Sequence, residues 1–188
     1  GNLLRIDIAT GAQQWVKPQH PDGINLRYNW NAAIEQDPID KGTLYYGSQY
    51  VHQSDDDGKS WKMISPDLTT NDPEKQNQQD SGGLSMDNSG AENHTTIFTI
   101  AESRLDENVI WVGTDDGNVQ VTKNGGKTWS NTTKNISGLP ANTWVYHIEA
   151  SVHDKATAYA VFDGHTSGDF APYVYKTTDY GLTWNSIV

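Results

Sequence analysis

Residues 54–61, SDDDGKSW, place three carboxylates, a glycine, two hydroxyls and a tryptophan within eight positions. Neighbouring carboxylates can bind a metal ion or take part in acid–base catalysis, so this segment is the first candidate for chemistry. The spacing Asp55-x-Asp57 matches the first ligands of a calcium-binding loop. The glycine and the bidentate glutamate that complete such a loop are missing, so no metal site is predicted.

The same frame recurs as TKNGGKTW in residues 122–129 and as TTDYGLTW in residues 177–184. Asn124 stands where the other copies have Asp56 and Asp179. An amide can replace a carboxylate as a hydrogen-bond acceptor in a turn but not as a catalytic acid. The repeated frame therefore predicts a structural turn rather than a catalytic site. We call the three segments the box turns. Their shared positions are Ser54, Asp56, Gly58, Ser60, Trp61, Thr122, Asn124, Gly126, Thr128, Trp129, Thr177, Asp179, Gly181, Thr183 and Trp184.

Strand-like runs surround each box turn, because aromatic and β-branched residues alternate there. A pair of strands is predicted before each box, with a further strand upstream and a short fourth strand after it. Trp30, Trp111 and Trp144 lie on predicted strands and are expected in the core. The predicted pairs are 43–48 with 50–54, 109–114 with 118–122, and 157–162 with 173–177; the upstream strands are 28–35, 95–102 and 144–151. The prediction is an all-β chain of repeated four-stranded units.

The composition excludes several classes of function. The chain has 13 Lys and Arg against 24 Asp and Glu, and its net charge of −11 disfavours nucleic acid and anionic membranes as partners. It contains no cysteine and no apolar run long enough to span a membrane. The six histidines show no zinc-site spacing, and no cofactor is predicted. Arg5, Arg27 and Arg104 are scattered, so the arginine cluster of a sialidase is not expected.

The box turns resemble the Asp-boxes, or BNR repeats, of sialidases, xyloglucanase-type glycoside hydrolases and sortilin-like proteins. Phrases such as RYNWNAA and VIWVGTDDGNVQVTKNGGKTW are most similar to large bacterial sortilin-related BNR proteins, a group usually labelled glycosyl hydrolase. The resemblance covers nearly the whole chain. It implies a β-propeller of four-stranded blades, with each box between the third and fourth strands and away from the functional face. It also implies an extracytoplasmic protein, secreted or periplasmic.

The resemblance divides the chain into blades. Residues 1–20 are expected to be the tail of a preceding blade, and 24–65, 94–134 and 143–188 to be three complete blades. Residues 66–93 form a long polar inter-blade loop, expected to be a solvated loop, a lid over the channel or a contact to a neighbouring domain. Three blades cannot close a ring, so a partial β-propeller is expected, a fragment of a larger one. Its partners would be the remaining blades of the parent chain, and the fragment, with the faces of its end blades uncovered, is expected to be weakly stable or to self-associate.

The resemblance also implies candidate catalytic residues. Xyloglucanase-type enzymes carry a catalytic Asp after the second strand of a blade, in a Thr-Asp-x-Gly-Gly context. Residues 114–118, TDDGN, are similar but have Asn118 in place of the second glycine. Asp163 occupies the corresponding place in the third blade. Asp115 and Asp163 are therefore the candidate carboxylate pair of a hydrolase.

The loop 161–173, VFDGHTSGDFAPY, adds polar side chains on the same face. The candidate substrate-binding residues are Asp116, His165, Asp169 and Tyr173. The alternative, in which both loops are ordinary Asp-Gly turns, stays open. Three functions follow: a propeller segment that binds a peptide or polysaccharide without catalysis, a xyloglucanase-like hydrolase of endo-β-glucans, or a purely structural propeller module.

Overall fold

The computed structural model describes residues 1–76 and 93–188. Within these ranges the chain forms one two-stranded and three four-stranded antiparallel sheets, which confirms the predicted all-β class. The two-stranded sheet contains β1 (Leu4–Ile6) and β2 (Gln13–Trp15), and the first four-stranded sheet contains β3 (Ile34–Gln36), β4 (Leu44–Gly47), β5 (Val51–Ser54) and β6 (Lys62–Met63). The predicted inter-blade loop lies partly outside the described residues, over 77–92.

The second four-stranded sheet contains β7 (Ile97–Glu102), β8 (Ile110–Thr114), β9 (Val119–Thr122) and β10 (Ser130–Asn131). The third contains β11 (Trp144–Ala150), β12 (Ala158–Asp163), β13 (Tyr173–Thr177) and β14 (Asn185–Ser186). Short 3-10 turns cover Pro73–Gln76, Thr133–Asn135 and His165–Ser167. The structure has, within its described ranges, no helix with the length and apolarity that crossing a membrane requires.

Each four-stranded sheet is a meander in which consecutive strands are hydrogen-bonded. The first strands of the sheets lie side by side, since β7 contacts both β3 and β11. Because strands alternate in direction, the turns after the second strands share one edge of the sheets and the box turns lie at the other. We call the first edge, with turns 47–51, 114–119 and 163–173, the loop face.

Two apolar clusters fill the spaces between sheets. Val51, Ile97 and Val112 belong to the cluster between the first and second sheets. Trp111 and Val145 belong to the cluster between the second and third sheets, and the Trp111 ring is completely buried as expected. Burial of apolar area between sheets, rather than within one sheet, is what holds the units together.

The expectation for Trp30 is wrong. The predicted strand 28–35 begins only at Ile34, and Trp30 lies in a turn with 66% of its surface exposed. The Asn29 side chain accepts a hydrogen bond from the Asn31 backbone N–H at 3.1 Å. Such an Asx turn competes with strand hydrogen bonding and delays the start of β3.

The box turns share one set of hydrogen bonds. The Ser54 hydroxyl donates to Asp56 at 2.9 Å and accepts from the Gly58 N–H at 2.8 Å, and Asp56 accepts from the Ser60 N–H at 2.8 Å. The other two copies repeat these contacts, with the Asn124 side-chain oxygen accepting from the Thr128 N–H at 2.9 Å. The glycines have φ of 79°, 85° and 81°, a region that residues with a Cβ rarely adopt.

The Trp of each box turn reaches back to the preceding sheet. Trp61 Nε1 donates to the Val16 carbonyl at 2.6 Å, and Trp129 Nε1 donates to the Ile64 carbonyl at 3.1 Å. Trp184 Nε1 donates to the Thr132 hydroxyl at 3.4 Å. Val16 follows β2 as Ile64 follows β6, which is the relation that a preceding blade tail in residues 1–20 requires. That assignment stays a prediction.

Candidate functional site

Asp115 is the first residue of the turn after β8, and its side chain is completely buried. Oδ1 accepts from the Thr96 N–H at 2.8 Å, and Oδ2 accepts from the Thr96 hydroxyl at 2.6 Å and from Asn29 Nδ2 at 3.0 Å. Thr96 immediately precedes β7, and Asn29 lies in the segment before β3. Asp115 therefore links the two segments that lead into the first strands of neighbouring sheets.

The electrostatic setting of Asp115 is mixed. Burial raises the pKa of Asp115, and the His94 side chain and the hydrogen bonds from Thr96 and Asn29 oppose that increase. His94 Nδ1 lies 3.9 Å from Asp115 Oδ1. A raised pKa is typical of a general acid, but both oxygens of Asp115 already accept hydrogen bonds from protein groups.

Asp116 is also buried, with 1% of its surface exposed. Its Oδ2 accepts from the Thr70 N–H at 2.8 Å and from the Thr70 hydroxyl at 2.6 Å, and its Oδ1 accepts from the Thr114 hydroxyl. Asn118 Nδ2 adds a bond to the Leu68 carbonyl at 3.0 Å. Asp116 therefore fixes the segment that follows the first sheet, and no part of its carboxylate points to solvent. The prediction that it binds substrate stays untested.

The loop after β12 is closed by its own side chains. The Asp163 carboxylate accepts from the His165 N–H at 2.9 Å and contacts His165 Nδ1 at 2.6 Å. Asp169 accepts from the Ala171 N–H at 3.0 Å and from the Tyr173 hydroxyl at 2.7 Å. The backbone bonds from His165 and Ala171 lower the pKa of Asp163 and of Asp169, so both remain ionised at neutral pH.

The candidate residues fall into separate groups. Asp115 and Asp116 lie in the seam between the first two sheets, whereas Asp163, His165, Asp169 and Tyr173 form one loop on the third sheet. No hydrogen bond or ion pair joins Asp115 to Asp163 within the described residues. The connection between the groups is aromatic: His94 accepts a hydrogen bond from Trp144 Nε1 at 3.2 Å, and Trp144 pairs with Asp163 across the strands.

Four aromatic rings that the sequence patterns did not single out as a site pack in a row along the first strands. We call His94, Phe98, Trp144 and Tyr146 the ring ladder. The ring centroids are 5.8 Å apart for His94 and Trp144, 5.5 Å for Phe98 and Trp144, and 5.7 Å for Phe98 and Tyr146. Tyr146 is 54% exposed, while Phe98 and Trp144 are half-buried.

β-Bulges at matching positions in β7 and β11 determine where two of the four rings of the ring ladder lie. The pairing register of β7 shifts between Ile97 and Thr99, and that of β11 shifts between Val145 and His147. Phe98 and Tyr146 are the extra residues. A bulge turns its side chain out of the regular alternation, which is why bulges occur beside functional sites. Aligning TTIFTIAE with WVYHIEA would have matched these two positions.

Two further exposed rings lie in loops on the loop face. Trp30 follows Asn29, which bonds to Asp115, and Phe170 lies in the loop 163–173 with 83% of its surface exposed. No group of three or more His, Asp or Glu side chains in the described parts of the chain is arranged to hold a metal ion. The arrangement can therefore offer apolar contact, stacking and carboxylate hydrogen bonds to a ligand.

Comparison with solved structures finds propellers. An ancestral GH74 enzyme is 16% identical, with a TM-score of 0.57, and the match covers 87% of this chain and 19% of that one. The GH74 xyloglucanase from Xanthomonas campestris is 20% identical, with a TM-score of 0.54, over 82% and 22% of the two chains. YCF48 bound to D1 peptide is 14% identical, with a TM-score of 0.50, over 90% and 42%.

At these identities the similarity shows the fold alone, and it confirms that the sheets are β-propeller blades. The chain spans less than half the length of the three matched proteins. No protein-family model and no curated protein matches it. The Asp-box and sortilin-like resemblance stays a prediction, as do the catalytic and substrate-binding assignments.

Proposed function

We propose that this chain is part of an extracytoplasmic propeller with Asp-box (BNR) repeats that binds a peptide or a polysaccharide without catalysis. The observation that carries the proposal is the ring ladder. Its rings continue from the loop face down the first strands, and Trp30 and Phe170 are exposed in loops of the same face. Partly exposed aromatic rings in contact with one another are a typical ligand surface, since stacking requires little further ordering of the side chains.

The solved relatives fit either ligand class. One matched protein is named a xyloglucanase, and another was solved with a peptide bound. Both classes offer flat or apolar surfaces to aromatic rings. The predicted self-association has a physical basis in the exposed Ile8 and Trp15 of the first hairpin and Leu182 of the last box turn.

The xyloglucanase-like hydrolase is the second candidate. It is favoured by the opposite pKa shifts of Asp115, raised, and Asp163, lowered, because a hydrolase needs one protonated and one ionised carboxyl group. Complete burial of Asp115 and its three hydrogen bonds argue instead for a positioning role. In that role Asp115 fixes Asn29, beside the exposed Trp30, and Thr96, near the start of the ring ladder.

Substituting exposed rings tests the proposal. Trp30→Ala and Tyr146→Ala are each expected to weaken binding about threefold to tenfold, because each removes a stacking surface. Affinity electrophoresis in xyloglucan gels and calorimetry with tryptophan-containing peptides measure the two ligand classes. Trp15→Ala is the matched control, since Trp15 is 68% exposed but lies on β2.

Two results would contradict the proposal. One is equal binding by the Trp30→Ala and Trp15→Ala variants together with no loss in Tyr146→Ala. The other is release of reducing sugars from xyloglucan that Asp115→Asn and Asp163→Asn each abolish, which would establish the hydrolase.

A further inference from the structure

Two carboxylates lie below the ring ladder on the first strands. Glu35 on β3 and Glu149 on β11 are both exposed and lie on either side of β7. Partial burial raises the pKa of Glu35, and the negative charge of Glu149 raises it further. Arg104 and His147 lower it, and His147 Nε2 lies 3.6 Å from Glu149 Oε2. The two glutamates are therefore close enough to interact, with one arginine beside them.

The bulge in β11 places Glu149 on the same side of the strand as the ring ladder. Before the bulge Val145 is buried, and after it Ile148 is buried, so the exposed side includes Trp144, Tyr146 and Glu149. Tyr146 and Glu149 are three residues apart, which corresponds to about 10 Å along a strand. A ligand that lies along the first strands meets aromatic rings first and carboxylates next.

We infer that the ligand of the ring ladder is an extended basic peptide, with an apolar or aromatic side chain on the rings and a Lys or Arg about three residues away between Glu35 and Glu149. This inference rests on the proposed function and names its ligand class. The ring ladder is the docking surface, and charge complementarity selects the occupant.

The charges favour a basic peptide over a neutral polysaccharide. Arg104 offsets one of the two carboxylates, which leaves a negative region in a chain whose net charge is −11. A cationic side chain gains attraction to this region, and to the face of the exposed Tyr146 ring, that an uncharged sugar does not gain. An extended peptide in the polyproline II conformation has three residues per turn and rises about 3.1 Å per residue, so side chains three residues apart lie on one face about 9 Å from each other, close to the required separation.

Charge-reversed probes test the inference on the 188-residue chain. One synthetic peptide carries a Trp and, three residues on, a Lys; its partner carries Glu in place of Lys; a xyloglucan oligosaccharide is the third probe. Calorimetry is expected to show the Lys peptide binding at least about tenfold more tightly than the Glu peptide at low salt. The preference should shrink at high salt because the anchors are exposed.

Two double variants test whether the preference for the Lys peptide arises from Glu35 and Glu149. Glu35→Gln with Glu149→Gln should lower the affinity for the Lys peptide about tenfold and remove its salt dependence. The matched control is Glu107→Gln with Asp57→Asn, which changes the net charge equally at two exposed positions on the box-turn side.

The outcomes separate this inference from the proposed function. Equal affinity for the two peptides, equal behaviour of the two double variants, or binding of the oligosaccharide alone would overturn the basic-peptide assignment. If Tyr146→Ala still weakened binding in those cases, the binding function would stand. If no probe bound, both proposals would fail.

Discussion

Aspartates in this chain differ in role because their surroundings differ. Asp115 is buried and its oxygens hold two sheets together, Asp116 holds Thr70, and Asp163 stays ionised in a turn of its own. In the sequence, the resemblance of residues 114–118 to a catalytic context and the matching place of Asp163 in the third sheet suggested chemistry for these residues. The hydrogen-bond partners show carboxylates that already serve the fold, and the catalytic and substrate-binding assignments stay predictions.

Glu102 shows how a buried carboxyl group makes stability depend on pH. Glu102 lies at the end of β7 with 6% of its surface exposed, and burial, followed by the charge of Asp37, raises its pKa to about 9. The ordinary value is 4.5, so between those two values Glu102 is neutral in the folded chain and ionised in the unfolded chain. The free energy of unfolding should therefore fall as pH rises through this window, by at most ~1.4 kcal/mol per pH unit.

Glu102→Gln should remove this slope, because the amide stays neutral in both states. Thermal melting from pH 5 to 9 is expected to show the variant gaining on the unsubstituted chain as pH rises. Glu74→Gln, at an exposed position whose charge does not act on Glu102, is the control. Parallel pH profiles for the unsubstituted chain and Glu102→Gln would show that Glu102 ionises normally.

The box turn is the repeated element of this fold, and its hydrogen bonds explain its residue choices. The hydroxyl at its start accepts the glycine N–H, and the Asp or Asn accepts the N–H two positions after the glycine. Either an amide or a carboxylate oxygen can accept this second N–H. The negative charge of the side chain is therefore dispensable, while its oxygen atom is required.

Asp179 can test this distinction. Asp179→Asn should change the free energy of unfolding by less than about 0.5 kcal/mol, as Asn124 does the same work in the second sheet. Asp179→Ala should cost about 1–2 kcal/mol, because it leaves the Thr183 N–H and the Thr177 hydroxyl without their partner. Urea denaturation measures both. Equal losses in the two variants would mean that the negative charge itself stabilises the turn.

Local elements were predictable from the sequence, and contacts between elements were not. The box turns depend on residues within eight positions of one another, and the strands depend on the alternation of residue types. Both can therefore be identified from the amino-acid sequence. Trp30 was misplaced because the Asn29 side chain interrupts the strand pattern. The burial of Asp115 depends on Asn29, which is 86 residues away, and the extra residues of the two bulges, Phe98 and Tyr146, are residue types that an unbroken strand also favours.

At the scale of the whole molecule, neighbouring sheets approach closely where glycine faces a branched side chain. A Cβ on Gly47 would lie 2.8 Å from Ile97 Cγ2, and a Cβ on Gly113 would lie 2.4 Å from Val145 Cγ1. Each glycine is in the second strand of one sheet, and each branched residue is in the first strand of the next. The same contact therefore sets the spacing of the first strands in both seams, and with it the positions of the rings of the ring ladder.

Gly113→Ala should consequently destabilise the chain by about 1–3 kcal/mol, because the added methyl group overlaps Val145 and Thr99 in a close-packed seam. Val145→Ala alone should also destabilise it by leaving a cavity. The double variant should lose less than the sum of the two by about 1 kcal/mol or more, since the shortened side chain makes room for the new methyl group. Urea denaturation of the unsubstituted chain, the two single variants and the double variant measures this coupling.

Gly42→Ala is the control, because its Cβ would meet only the Asp40 carboxylate at 3.4 Å. Strict additivity would mean that this contact does not set the distance between the second and third sheets, and that the ring ladder is positioned by other contacts.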